Sequence, residues 1–194
     1  MIPARMAKVF VITGPSGVGK GTLIKELLRE VPNLELSVSA TTRAPREGEV
    51  NGRDYHFLTP AEFERRVEDK DFLEFAAYSG NHYGTLRSEV ERRLEGGHSV
   101  VLEIEVQGAQ QVRAAKPDSV QIFIAPPDPA VLRERLSTRG TDSPEAIDAR
   151  LKVASQELAA QGDFDHRVVN EDLDRAAEEL VGIVRGELDL APAG

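Results

Sequence analysis

Lys8-Val-Phe-Val-Ile-Thr13, followed at once by Gly14-Pro-Ser-Gly-Val-Gly-Lys-Gly-Thr22, is the stretch whose reading decides the fold. The first part is a short apolar run rich in β-branched residues, which predicts a buried strand. Beyond the glycines, Leu23, Leu27, Leu28 and Val31 recur at helical spacing. The order is therefore strand, glycine-rich loop, helix. Gly14 to Lys20 fits G-x-x-x-x-G-K, and its chemistry is specific. Glycines let the chain turn with its N–H groups inward, making a cradle for phosphate oxygens. The helix that follows adds its positive N-terminal end. Lys20 can then reach the β- and γ-phosphates of a nucleoside triphosphate. Gly21 stands where many such loops carry a Ser or Thr for Mg²⁺, and Thr22 comes one place later. A Mg²⁺ accompanying ATP is therefore expected to be held mainly by phosphates and water, with no protein-built metal site.

Working outward, further apolar runs lie at 99–104, 120–125 and, more weakly, 167–170. Helical patterns fill 130–139, 145–161 and 173–188. Strands alternating with helices predict an α/β fold with a parallel sheet covered on both faces. The region 37–95 reads differently. It is rich in Arg, Gly, Tyr and Thr, has short alternating runs, and has one clear helix at 60–69. It reads as a small inserted subdomain. The expected organisation is a core of 1–36 and 96–194, with the insert at 37–95.

Composition narrows the function. The chain has 194 residues, 33 acidic against 24 basic, and a net charge of −9, which disfavours general binding of nucleic acid. It has no cysteine, so disulfides, thiolate metal sites and cysteine nucleophiles are excluded. No apolar run approaches the ~20 residues of a membrane span, and the first residues do not read as a secretory signal. A cytoplasmic enzyme, monomeric or a small homo-oligomer, is the expectation. The four histidines are scattered and suggest neither a metal site nor a base.

The insert carries the second chemistry. Arg43 and Arg46 flank Pro45 and offer two forked guanidinium groups for a phosphate. Tyr55, Tyr83 and Thr85 add hydroxyls. Glu74 lies inside the apolar run Phe72-Leu-Glu-Phe-Ala76, where a carboxylate is costly unless paired. Toward the C-terminal part, Arg135 and Arg139 are four apart on one helical face, ahead of Gly140, and Arg150 follows in the next helix. Arg133 reads as a surface residue paired with Glu134 or Asp148.

Several ordered motifs now resemble the guanylate kinase family of P-loop nucleoside-monophosphate kinases. They are Ser39-Ala-Thr-Thr-Arg-Ala-Pro-Arg46, then Gly48-Glu-Val-Asn-Gly-Arg-Asp-Tyr55, Tyr83-Gly-Thr85, Leu102-Glu-Ile-Glu-Val-Gln-Gly108 and Ile124-Ala-Pro-Pro127. The likeness runs from about residue 8 to 188. It implies a P-loop kinase core, a mixed α/β GMP-binding insert at 37–95 and a helical lid at about 135–160. It implies transfer of the γ-phosphate of ATP to GMP, with ATP and GMP as partners and no nucleic acid or membrane. Gly14, Pro15, Ser16, Gly17, Val18, Gly19, Lys20, Gly21 and Thr22 would hold ATP, together with Arg135 and, near the adenine, Asn170. Arg43, Arg46, Tyr55 and Tyr83 would hold the GMP phosphate. Ser39, Glu74 and Thr85 would read the guanine, with Glu105 beside the base or ribose. Glu105 stands where many members have Asp, so its reach is longer. The implied catalytic set is Lys20, Arg43, Arg139 and Arg150. Glu103, at a strand end, is either a neighbour of Mg²⁺ or a solvated acid. Two other readings stay open: an inactive protein-binding module of the same fold, and a kinase for another small phosphate acceptor.

Overall fold

The run Val9–Thr13 is extended because β-branched side chains pack well on a pleated surface, and it is buried along its whole length. In the computed structural model, which describes residues 7–138 and 144–190 (side chains of 134–146 excepted), this strand, β1, is the middle of a five-stranded sheet. The other strands are β2 (Leu34–Leu36), β7 (Ser99–Glu103), β8 (Val120–Ala125) and β9 (His166–Val169). Their order is β2-β7-β1-β8-β9, and every neighbouring pair is parallel.

Side chains alternate across this sheet with the period of two that a strand imposes. Phe10 and Ile12 point into one apolar cluster, with Leu23, Leu27, Ile122, Ile124 and Leu180. Val9 and Val11 point into another, with Val90, Val100, Leu102 and Val112. Helix α1 (Lys20–Glu30) and helix α7 (Leu173–Glu187) supply the first cluster. Helix α3 (Arg87–Glu95) and helix α4 (Val106–Ala115) supply the second. Burying each Ile, Leu or Phe of these layers contributes roughly 1.5–3 kcal/mol. The result is the α/β architecture expected from the alternating pattern, with a parallel sheet covered on both faces. Helices α3 and α4 leave little trace in the sequence. The first reads Arg-Ser-Glu-Val-Glu-Arg-Arg-Leu-Glu, and the second is built from small and amide side chains around Gly108.

A second sheet of four strands stands apart from the first, in the order β4-β3-β6-β5. Strands β3 (Ala40–Thr41) and β4 (His56–Phe57) are two residues each. Strands β5 (Phe72–Tyr78) and β6 (Asn81–Leu86) form an antiparallel hairpin. Helix α2 (Pro60–Glu68) starts with a capping box, in which Thr59 accepts from the Glu62 N–H and Glu62 accepts from the Thr59 N–H. It seats Phe63 on Phe72, with ring centroids 4.5 Å apart. Helices α5 (Pro129–Thr138) and α6 (Pro144–Ala159) pack on each other. Ile147, Leu151, Ala154 and Leu158 face the interior from α6, and Arg133 pairs with Asp148 at 2.8 Å.

Candidate active site

The loop after β1 leaves the carboxyl end of the parallel sheet, where ligands bind in open α/β folds. Its last residue, Gly19, is the N-cap of α1 and has φ +99°, a conformation that favours glycine. A Cβ at Gly19 would also lie 2.6 Å from Nδ2 of Asn170. The Asn170 amide donates to the Val18 carbonyl at 2.7 Å, and its own N–H donates to Ala125 at 2.8 Å. Asn170 is thus buried behind the loop and braces it. No acidic residue occupies the first turn of α1, so its positive end stays available to an anion.

Lys20 folds back over the same loop. Its ammonium donates to the Gly14 carbonyl and, at 3.4 Å, to that of Pro15. Burial lowers its pKa, while Glu103, Glu157 and Glu105 act in the opposite sense. Glu157, on α6, is itself pushed up to about 7 by burial, with Lys20 opposing the shift and Glu105 adding to it.

Beyond Glu103 and Glu105 opens a cleft of about 300 Å³, lined among others by Ser39, Tyr55, Glu74, Tyr83 and Glu105. Glu74 is 5% exposed, and the Thr85 hydroxyl, opposite it on β6, donates to Oε1 at 2.7 Å. Burial raises the Glu74 pKa against the hydrogen bonds from Thr85, and Glu105 pushes it further up. Gly108, on α4, leaves the carboxylate its room, since a Cβ there would stand 2.7 Å from Oε2. At the other end of the cleft the Tyr55 and Tyr83 rings meet edge to face at 6.2 Å. The Arg43 guanidinium lies 5.2 Å from the Tyr55 ring centroid. Both of its terminal nitrogens are held by Glu49, at 3.0 and 2.8 Å. Glu49 also accepts the Arg46 N–H at 2.7 Å, closing the turn that carries both arginines. A larger groove of about 820 Å³ between α1 and α7 shares no residue with the loop or the cleft.

The structure therefore brings Ser39, Tyr55, Glu74, Tyr83 and Glu105 to one cleft, with Arg43 at its edge and Thr85 behind Glu74. Arg46 is exposed beside Arg43, and Arg150 is half-buried on α6. Arg139 and the side chain of Arg135 lie outside the described residues. Glu103 is exposed at the end of β7, and the described residues hold no metal-binding group of three His, Cys, Asp or Glu. Sequence reasoning missed Glu49 and Glu157. The first could have been found as the acid three places after Arg46 in a turn. The second sits one turn beyond Ala154, an acid beside the inward stripe of α6.

A glycine-rich turn between the first strand and the first helix, beside a cleft bordered by Glu103 and Glu105, marks a P-loop phosphotransferase fold. A gluconokinase from Sinorhizobium meliloti shares that fold, with TM-score 0.51 at 15% identity over 95% of both chains. A family model described as guanylate kinase matches residues 6–187. A guanylate kinase of Rubrobacter xylanophilus is 54% identical over 93% of this chain and 95% of its own. The crystal structure of guanylate kinase from Anaplasma phagocytophilum superposes with TM-score 0.75 at 34% identity, covering 95% of this chain and 87% of that one. The chain belongs to the guanylate kinase family.

Proposed function

We propose that this chain transfers the γ-phosphate of ATP to GMP, giving ADP and GDP, with ATP on the loop and GMP in the cleft. The observation that carries the reading is Glu105. It lines the cleft just after β7, the strand that pairs with β1 with Glu103 beside Ile12, so the loop and the cleft leave neighbouring strands at the same end of the sheet and form one site.

Guanine suits the floor. Its N1–H and 2-amino groups are adjacent donors, and the Glu74 carboxylate is an acceptor with two oxygens. Its O6 is an acceptor and suits the Ser39 hydroxyl. Thr85, whose proton is already given to Glu74, orients the reader. Arg43, Arg46, Tyr55 and Tyr83 gather donors at the cleft's other end for the phosphate. The γ-phosphoryl group needs no covalent partner from the protein. Catalysis is in-line positioning plus stabilisation of charge by Lys20, the loop N–H groups and the arginines Arg139 and Arg150. Arg135 and Arg139 belong to the proposed lid at about 135–160. Asn170 holds the loop in shape on the ATP side.

The residues fit a Mg²⁺ that arrives with ATP. Glu103 and Glu105 put hard oxygen donors near Lys20 without closing a cage, so phosphates and water would complete the shell. Such an ion supplies neutralisation of charge on the β- and γ-oxygens. Residues 37–95 form the GMP-binding insert and the rest the core. Both ligands lie within one chain, and because they are cytoplasmic nucleotides the reading implies a cytoplasmic enzyme.

The test is a coupled assay of the purified chain with ATP and GMP, AMP, CMP or UMP. Turnover confined largely to GMP is expected. Preference for another acceptor would overturn the choice of base, and no turnover with any would favour a binding module.

A further inference from the structure

Behind the cleft, outside both ligand sites, lies a buried carboxylate that the reaction does not use. Glu89, on α3, is 6% exposed. It accepts from Nε and Nη2 of Arg93 at 3.0 and 2.6 Å, and from Nη2 of Arg92 at 3.0 Å. The backbone N–H of Val38 also points to it, at 3.4 Å. On its other side Nε2 of His56 stands 3.8 Å from Oε2, buried and without a hydrogen-bond partner. The remaining fork nitrogen of Arg93 reaches Glu35 on β2, and Glu35 meets Nδ1 of His98 at 3.0 Å.

These contacts fall at the join between the two sheets. Val38 immediately precedes Ser39, in the segment that leaves the parallel sheet for the smaller one. His56 immediately follows Tyr55. The His56 N–H donates to the Ser39 carbonyl at 2.9 Å. One carboxylate thus backs two residues that line the cleft, and Arg93 ties it to the edge of the core. We infer that Glu89 is a positioning residue for the acceptor site, holding Ser39 and Tyr55 in register with Glu74 through Val38 and His56. This rests on the reading of the cleft as the GMP site.

The chemistry supports a directional role over a packing one. A buried carboxylate is costly, and an apolar side chain of the same size would fill the space more cheaply. A carboxylate can accept from its own helix and from the Val38 N–H at once with angular preference, and it faces His56 besides. Against the upward push of its own burial, Arg93 and Arg92 hold Glu89 below the usual carboxylate range, so the acceptors are charged. Strands β3 and β4 are only two residues long, and their own ladder does little to fix the places of Ser39 and Tyr55.

The experiment compares wild type, Glu89→Gln and His56→Ala in steady-state kinetics, varying GMP and ATP separately, with thermal unfolding alongside. Glu89→Gln should raise the KM for GMP about 10-fold, as expected for a displaced binding group, while the KM for ATP stays within about twofold. His56→Ala, at a partly exposed position, should raise the KM for GMP about threefold, in keeping with the loss of one weak polar contact, the imidazole that stands 3.8 Å from Oε2 of Glu89. A merely structural role would lower the unfolding temperature and leave both KM values in place. Unchanged KM for GMP in the folded variants, or equal changes for both nucleotides, would overturn the inference. If Glu89→Gln does not fold, His56→Ala decides by the same criterion. Failure of the GMP reading itself would show differently, as wild type without GMP turnover.

Discussion

On the proposed reading, the loop and the cleft would hold their ligands with different material. The loop presents main-chain N–H groups, fixed by the turn from Gly14 to Gly19 and braced by the Asn170 amide. The cleft presents side chains brought in from five places: Ser39 just before β3, Tyr55 just before β4, Glu74 on β5, Tyr83 on β6 and Glu105 at the start of α4. A phosphate is recognised by any chain that makes the turn, so the donor end needs only local geometry. A base is recognised by the direction of its hydrogen bonds, so the acceptor end needs several distant residues held to a fraction of an ångström. The donor end is anchored in a core of β-branched strands. The acceptor end rests on a smaller apolar cluster around Phe63 and Phe72, to which polar contacts are added by Glu49 on the arginine turn and Glu89 at the join.

If the two ends are separable in this way, substitutions at one should leave the other alone. The largest effect is expected from Lys20→Met, which removes the charge that follows the γ-phosphoryl group. Turnover should fall on the order of 10²-fold or more, with little change in the KM for GMP. A rise in that KM matching the loss of turnover would break the comparison.

Glu74→Gln should act on the acceptor end. It keeps the shape and replaces one acceptor oxygen with a donor. We expect kcat/KM for GMP to fall about 10²-fold, mostly through KM, and the ratio of GMP to AMP to narrow, since a mispaired buried group costs a few kcal/mol. The pH profile sharpens this. Burial raises the Glu74 pKa, and its protonated form would set a donor against guanine's donors. The wild-type KM for GMP should therefore rise as pH falls through that raised pKa, and the Gln variant should lack this limb. A wild-type preference for GMP in the variant would mean that another residue reads the base.

A smaller effect than either is expected from Asn170→Ala. It removes the donor that the structure places on the Val18 carbonyl at 2.7 Å. The KM for ATP should rise about fivefold, the loss of one hydrogen bond, with the KM for GMP unchanged. An unchanged KM for ATP would show that the loop keeps its shape without the brace.

The same contrast explains what was legible in the sequence. The strand, loop and helix of the donor end are contiguous, and each has its own local signal, so composition and spacing sufficed. The parallel sheet followed from the alternation of apolar runs with helical patterns. Glu74 stood out because a carboxylate inside Phe72-Leu-Glu-Phe-Ala76 is anomalous anywhere. Thr85 was noted as one more hydroxyl, but its bond to Glu74 was not, since only the register of β5 on β6 puts the two together. Glu49, Glu89 and Glu157 were invisible for the same reason. Glu49 and Glu89 lie among other charges in sequence and Glu157 beside the inward stripe of α6, and each reads as a solvated acid until the fold buries it or gives it arginines. Helix α3 was missed because Val90 and Leu94 are its only apolar side chains. The roles of Ser39, Tyr55 and Tyr83 came through resemblance, because their meeting depends on long-range topology that spacing does not encode.

Gly108 carries a consequence of another kind. The space its missing side chain leaves is already taken by a carboxylate oxygen of Glu74, 2.7 Å from where a Cβ would be. The two positions share one volume, so their histories are tied. An alanine at 108 arriving first would displace the carboxylate and blunt discrimination between purines, whereas the same alanine arriving after position 74 had shortened would meet no obstacle. Such neighbours are non-additive in energy, and in descent that makes the order of substitutions matter. If Glu74 reads the base, a lineage drifting toward another base would meet less resistance by changing 74 before 108.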